Sequence, residues 1–344
     1  MKISVLPFNL LLAEPFGTSH GMRTVQPTLI IKIIDEEGQY GLGEAPLTSY
    51  YGLESEACQD ILKQFAPRLS SWQPTQLRHI EELHIMAKDL HPFLRCALDV
   101  AAHDYIGKLN GQSVKSLWDA PDSVGPPTSY TIGLDTIDRM LAKMQTHPWP
   151  LYKIKLGGPN DLETIETLRA ATQAPFLVDA NTGWSFEEAL DIIPSLSAMG
   201  VEMVEQPLAA HDYDGHRKLR ERVKLPIIAD ESCQNLEDIG RCSEAFDGIN
   251  IKITKSGGLL SAKKMIDRGR QLGLQVMAGC MTESSVGISA NAQLLPWLDR
   301  ADFDGAMLLA EDPAEGVTFD RSGFATWPDR PGTGALLRDQ KLYI

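Results

Sequence analysis

From residue 129 onward, short apolar stretches return eight times: SYTIGL at 129, LYKIKL at 151, PFLVDA at 175, EMVEQP at 202, PIIADE at 226, GINIKI at 248, LQVMAG at 274 and FDGAML at 303. Their starts lie 22, 24, 27, 24, 22, 26 and 29 residues apart, room each time for one strand, one helix and two short loops. Eight such units are what a closed parallel (β/α) barrel requires. An open doubly wound sheet alternates in the same way, but its glycine-rich phosphate fingerprint is missing after the first strand, and eight even units favour closure.

The residues before this run follow other rules. TLIIKIIDEEGQYGLGEAP reads as strand, acidic turn and strand of an antiparallel sheet. Residues 54–110 read as helical, with CALDVAAHDYIGKL carrying apolar residues at helical spacing and Gly111 just beyond to stop it. DAPDSVGPPTS reads as a linker. The expected organisation is an α/β protein: an α+β capping domain over 1–120, a TIM-like (β/α) barrel over 121–320, and a C-terminal segment, 321–344, packing back on the capping domain. MKISVLPFNLLLAEPFG faintly resembles a signal peptide, but Pro7 and Asn9 interrupt it, and a first β-strand is the better reading.

The chemistry falls at the strand ends. Asp179, Glu205 and Asp230 each follow an apolar run, 26 and 25 residues apart, one βα unit each time. Glu231 follows directly on the third. Each of the three is therefore expected at the C-terminal end of a neighbouring strand, where barrel active sites form. A single one would read as a helix N-cap. Three in register would repel one another unless a hard divalent cation such as Mg²⁺ neutralised them.

Lysines mirror this pattern. Lys153 and Lys155 stand two apart in YKIKLG, so both point to one side of their strand, about 7 Å apart. Lys252 lies in the sixth strand, across an eight-stranded barrel from the second. The alternating Ile154, Ile251 and Ile253 would face the helices, which turns the lysines inward. Mutual repulsion and a nearby cation would push a lysine towards being a usable base, with Lys153 also balancing charge on a bound carboxylate. Asp302 and Asp304 in ADFDG share a strand face and offer an acidic pair for an ammonium group. A cation that holds a substrate carboxylate, with lysines on opposite faces, suits removal of the adjacent proton, an enediolate, and reprotonation from the other side: racemisation or epimerisation.

In this order and spacing, KIK, VDAN, VEQP, ADES, NIKITKSGG and DFDG resemble the enolase superfamily, its muconate-lactonising-enzyme subgroup, and within that the dipeptide epimerases. The resemblance runs over nearly the whole chain and implies a barrel of the modified enolase type. It implies Mg²⁺ held by Asp179, Glu205 and Asp230, acid/base lysines at Lys155 and Lys252, and a dipeptide α-ammonium held by Asp302 and Asp304. It also implies substrate contacts at Thr131 and at Arg23, where alanyl-glutamate epimerases pair an arginine with the glutamate side chain. Thr282, in GCMTES, stands where that subtype carries an aliphatic residue, a departure from strict alanyl-glutamate specificity. His20 is a further neighbour of Arg23.

The expected activity is Mg²⁺-dependent inversion of the second residue of a dipeptide, L-Ala-D/L-Glu or related. The rival readings are an N-succinyl or N-acyl amino acid racemase, an o-succinylbenzoate synthase, or a non-catalytic metal-binding barrel. The last usually lacks the base lysines present here. A formal charge of −14 argues against nucleic-acid or anionic-membrane partners. Five scattered cysteines, with no CxxC pair, fit reduced thiols in the cytoplasm. A small-molecule substrate and a homo-oligomer complete the expected partners.

Overall fold

The computed structural model describes residues 1–18 and 21–338. Three antiparallel strands open the chain: β1 (Lys2–Thr18), β2 (Gly21–Ile34) and β3 (Tyr40–Pro46), paired in that order. The stretch suspected of being a signal peptide is β1. Helices α1 (Ser55–Phe65), α2 (Arg78–Met86) and α3 (Pro92–Asn110) follow. Gly111, at φ 65°, ends α3 with a left-handed cap that few side chains tolerate.

α3 is apolar on nearly every side because it packs on both sides. Leu94, Ala97, Leu98 and Ala101 join the core under β2 and β3, whereas Cys96 and Val100 join the barrel's core. The approach to β3 is close enough to require glycine: a Cβ at Gly41 or Gly43 would lie 2.0 or 1.9 Å from the carbonyl oxygen of Ala101 or Ala97.

Seven of the eight apolar stretches become strands of one parallel sheet, and the eighth strand directly precedes the eighth stretch: β4 (Tyr130–Ile132), β5 (Tyr152–Lys155), β6 (Phe176–Asp179), β7 (Val201–Glu205), β8 (Ile227–Ala229), β9 (Gly248–Ile251), β10 (Gln275–Gly279) and β11 (Arg300–Asp302). They pair in chain order. A bridge from Thr128 to Ala301 joins the first to the eighth and closes the barrel, as eight even units predict. Two boundaries differ from the sequence reading. The eighth strand ends at Asp302 instead of starting at Phe303, because Gly305–Leu308 turns into a 3-10 helix. The sixth ends at Ile251, so Lys252 caps the short helix Ile253–Ser256 and Ile253 is helical.

Buried carboxylates join the two layers. Asp99 of α3 accepts the Leu259 N–H at the start of helix Leu259–Gln271, at 2.6 Å. Glu44 of β3 accepts the Ser284 and Gly287 N–H groups, at 3.1 and 3.0 Å, at the start of helix Ser285–Ala292. The C-terminal stretch pairs Leu336–Leu337 with Ala314–Glu315. It packs Ala335 and Leu337 against Ile30 and Leu42 of the first sheet.

Candidate active site

Period-two alternation builds the site. On β5 to β9, Tyr152, Ile154, Val178, Val204, Ala229, Ile249 and Ile251 face the helices and join the outer core. The alternate residues face the barrel axis. Leu177, Met203, Ile228 and Met277 form an apolar plug there. One step further along β6, β7 and β8 come Asp179, Glu205 and Asp230, almost fully buried. Gly279 of β10 leaves room at this level, since a Cβ there would meet the Asn250 amide at 3.0 Å and the Lys252 side chain at 3.3 Å.

The structure brings the predicted groups together. Ligand atoms of Asp179, Glu205 and Asp230 lie within 4.8 Å of one another. Lys153 Nζ reaches Asp179 Oδ2 at 3.0 Å, Glu205 Oε2 at 2.9 Å and Asp302 Oδ2 at 2.9 Å. Lys155 donates to Asp179 at 2.6 Å and Lys252 to Asp230 at 2.8 Å. The two lysines thus stand at opposite ends of the carboxylate trio.

Electrostatics correct one expectation. Repulsion from Lys155 does not set the protonation of Lys153 in the metal-free protein. Burial pushes Lys153 and Lys252 down, but the surrounding carboxylates outweigh it and hold both ammonium groups above the ordinary lysine range. Burial would likewise raise Asp179 and Asp230, yet the adjacent lysines hold both below the carboxylate range. Glu205 goes the other way, to about 8, through burial and the neighbouring Asp179 charge.

The donor set fits a divalent cation. Glu205 Oε2 is buried and, although 2.9 Å from Lys153, receives no aligned hydrogen bond. The carboxylates of Asp179, Glu205, Asp230, Glu231, Asp302 and Asp304 face the ammonium groups of Lys153, Lys155, Lys252 and Lys255. If all are ionised, two negative charges are left over. Three carboxylates leaving positions open is the way Mg²⁺ is commonly bound.

A cavity of about 640 Å³ opens above, lined by Lys155, Lys252, Asp302, Asp304, Thr131 and Thr282 among others. Asp302 and Asp304 both face it, though Asp304 lies beyond the strand, capping the 3-10 turn. They are not equivalent. Asp302 is already paired with Lys153 and accepts from Ser129 and Thr131 hydroxyls at 2.9 and 3.3 Å. Asp304 accepts the Thr131 N–H at 2.6 Å and has no ion-pair partner among the described residues. Burial and the Asp302 charge push it up to about 6. Arg23 reaches the cavity from β2 and donates to Gln26 at 2.8 Å, with no carboxylate paired to it among the described residues. Tyr50, Tyr51, Met22 and Leu308 complete much of the wall. His20 lies outside the described residues.

Sequence reading missed Asn250, which donates to Glu205 at 2.9 Å, and Lys255, which pairs with Asp230 and donates to its carbonyl oxygen at 2.6 Å. Asn250 shares a strand face with Lys252, so period two was a usable signal. Lys255 follows the strand, on a helical turn where lysine ordinarily faces solvent.

A closed parallel barrel under an α+β roof, with three buried carboxylates on successive strands between two lysines, defines a class of barrel suited to polarising a carboxylate beside paired acid/base groups. Family comparison agrees: the mandelate racemase / muconate lactonizing enzyme N-terminal domain matches residues 2–118, and the enolase C-terminal domain-like family matches residues 136–341. The chain belongs to the mandelate racemase / muconate lactonizing enzyme group of the enolase superfamily. It is 44% identical to an L-Ala-D/L-amino acid epimerase of Maribacter sp., covering 98% of this chain and 99% of that one. It is 40% identical to a protein of the same name from Flavobacterium johnsoniae, covering 98% and 100%. Its fold matches the dipeptide epimerase of Cytophaga hutchinsonii, solved with Mg and D-Ala-L-Val, with a TM-score of 0.91 at 25% identity over 99% of this chain and 98% of that one.

Proposed function

We propose that the chain is a Mg²⁺-dependent dipeptide epimerase that inverts the α-carbon of the second residue. The observation that carries this is the opposed placement of Lys155 and Lys252, each within 2.8 Å of a different member of one carboxylate trio. Asp179, Glu205 and Asp230 would hold the metal. Mg²⁺ bound there would supply positive charge to a substrate carboxylate and to the negative charge that builds on it as the α-proton leaves.

Lys155 and Lys252 act on opposite faces of the α-carbon, one taking the proton while the other returns it. Lys153, paired with Asp302, balances charge between the metal and ammonium ends. Asp304, with no ion-pair partner among the described residues, receives the dipeptide ammonium with Asp302 beside it, and Thr131 orients both. Residues 1–120 act as the capping domain, whose segments at 21–23 and 48–51 line the cavity. The names of the Maribacter and Flavobacterium relatives support L-alanine as first residue and a broad second position. Arg23 favours an acidic second side chain, and Met22, Tyr50 and Leu308 admit apolar ones.

The test is incubation with L-Ala-X dipeptides and Mg²⁺ in D₂O, read by mass spectrometry. A gain of about one dalton per dipeptide molecule is expected, as exchange of a single α-proton requires. EDTA abolishes it. Lys155→Met and Lys252→Met each lower epimerisation at least about 100-fold, the usual worth of a general acid or base. Each still exchanges the α-proton of one stereoisomer. No exchange with any dipeptide, or exchange undiminished in Asp304→Asn, would point to an N-acyl substrate instead.

A further inference from the structure

We infer that Gln206 is a positioning residue that fixes the spacing of all three metal carboxylates, through a side-chain amide and a backbone carbonyl that no part of the proton transfer uses. The inference rests on the assignment of Asp179, Glu205 and Asp230 as ligands. Gln206 directly follows Glu205 at the end of β7 and is completely buried. Its backbone sits at φ 38°, although Pro207 follows and residues before proline favour extended backbone. A non-glycine residue stays in this left-handed region only where its surroundings hold it there.

The surroundings are the loops of the other two ligands. The Gln206 side-chain oxygen accepts the backbone N–H of Asp230 at 2.9 Å and of Ser232 at 3.1 Å. Those donors fix the amide's orientation, because a backbone N–H can only give. The amide nitrogen donates to the Ser232 hydroxyl at 2.8 Å and the Leu208 carbonyl at 3.2 Å. It also lies 3.4 Å from His216 Nε2. His216 Nδ1 faces the Asp212 carbonyl at 2.7 Å, so Nδ1 carries the proton and Nε2 is an acceptor. Every polar direction of the amide is thereby used.

On the other side, the Gln206 carbonyl accepts the Thr182 N–H at 2.8 Å. The adjacent Asn181 N–H donates to Asp179 Oδ1 at 3.0 Å. Asn181 and Thr182 also have positive φ, 45° and 64°. One residue therefore touches the backbone after Asp179, is bonded to Glu205 and grips the backbone of Asp230. Glutamate would lack the amide donors and methionine lacks donors and acceptors alike.

The test is calorimetric titration of Mg²⁺ into the full chain, without substrate. Gln206→Met is expected to weaken Mg²⁺ binding about 10- to 100-fold, the usual effect of losing a group that holds a metal ligand in place. Gln293→Met is the control for a merely structural role. Gln293 is equally buried and uses its amide in the same manner, accepting from Lys115 N–H and donating to the Ser289 and Thr333 carbonyls. It is expected to lower thermal stability and leave Mg²⁺ affinity unchanged. Wild-type affinity in Gln206→Met, or an equal loss in Gln293→Met, overturns the inference. If Gln206→Met does not fold, Ser232→Ala removes one arm of the amide and should weaken binding about 2- to 10-fold, the worth of one hydrogen bond. Unchanged affinity there overturns the inference too. Wild-type protein that binds no Mg²⁺ would instead overturn the ligand assignment itself.

Discussion

His216 shows how one buried side chain ties stability to pH. Its Nε2 accepts the Leu208 N–H at 3.3 Å, and burial lowers it from 6.5 to about 4. Unfolded, it takes a proton near 6.5; folded, it resists until about 4. Between those values the unfolded state binds more protons. Stability is therefore full above the upper value and lost as pH falls through the window, at up to about 1.4 kcal/mol per pH unit for this group. The melting temperature of the metal-free protein should fall more steeply from pH 6.5 to 4.5 than that of His216→Gln, whose side-chain oxygen can still accept from Leu208. Parallel curves would show that another group carries the dependence.

At the scale of elements, the contact of α3 with β3 is set by two glycines. Gly43→Ala places a methyl group against the Ala97 backbone, which cannot swing aside as a side chain can. An unfolding free-energy loss of about 1–3 kcal/mol is expected from the overpacking, measured by urea denaturation. Gly240→Ala, in helix Ile239–Ala245 with nothing within 4 Å of the new methyl, should be neutral or stabilising by up to about 1 kcal/mol. Equal losses in both would mean that the close α3–β3 approach does not decide the outcome. Strand alternation was legible because YKIK and GINI keep strict period two. The ends were not. Asp304 and Lys252 lie past their strands, where a turn, fixed by contacts distant in sequence, takes over from the pleat.

Across the whole molecule, metal binding and cap docking should both register in stability. Mg²⁺ at about 100 times its dissociation constant should raise unfolding free energy by about 2.7 kcal/mol, since only the folded chain assembles the trio. EDTA should reverse the gain, and Glu205→Gln should show little of it in a thermal-shift measurement. Glu44→Ala removes the carboxylate that accepts Ser284 and Gly287 N–H groups and the Thr28 hydroxyl. Leaving these donors buried and unpaired should cost about 1–3 kcal/mol. It should also raise KM more than it lowers kcat, because Ser284 anchors the segment that carries Thr282 into the cavity. A change in kcat alone would place the effect in the chemistry instead. No helix among the described residues is long and apolar enough to cross a membrane.

By itself the sequence determined what repeats. Eight apolar stretches at even spacing specify the barrel, and period two within them specifies which side chains turn inward. Carboxylates spaced one βα unit apart then fall at neighbouring strand ends. These are local rules, written in adjacent residues. Only the tertiary structure decided which charges meet. Lys153 joins Asp179, Glu205 and Asp302, residues up to 149 positions away, and Asp304 is left without an ion pair among the described residues. Gln206 acquires its role from strand ends 24 residues on either side in the barrel. The protonation of Lys153 likewise followed the carboxylates that surround it, not the lysine two places along the strand. Buried electrostatics depends on distance in space, and that distance exists only once the barrel has closed.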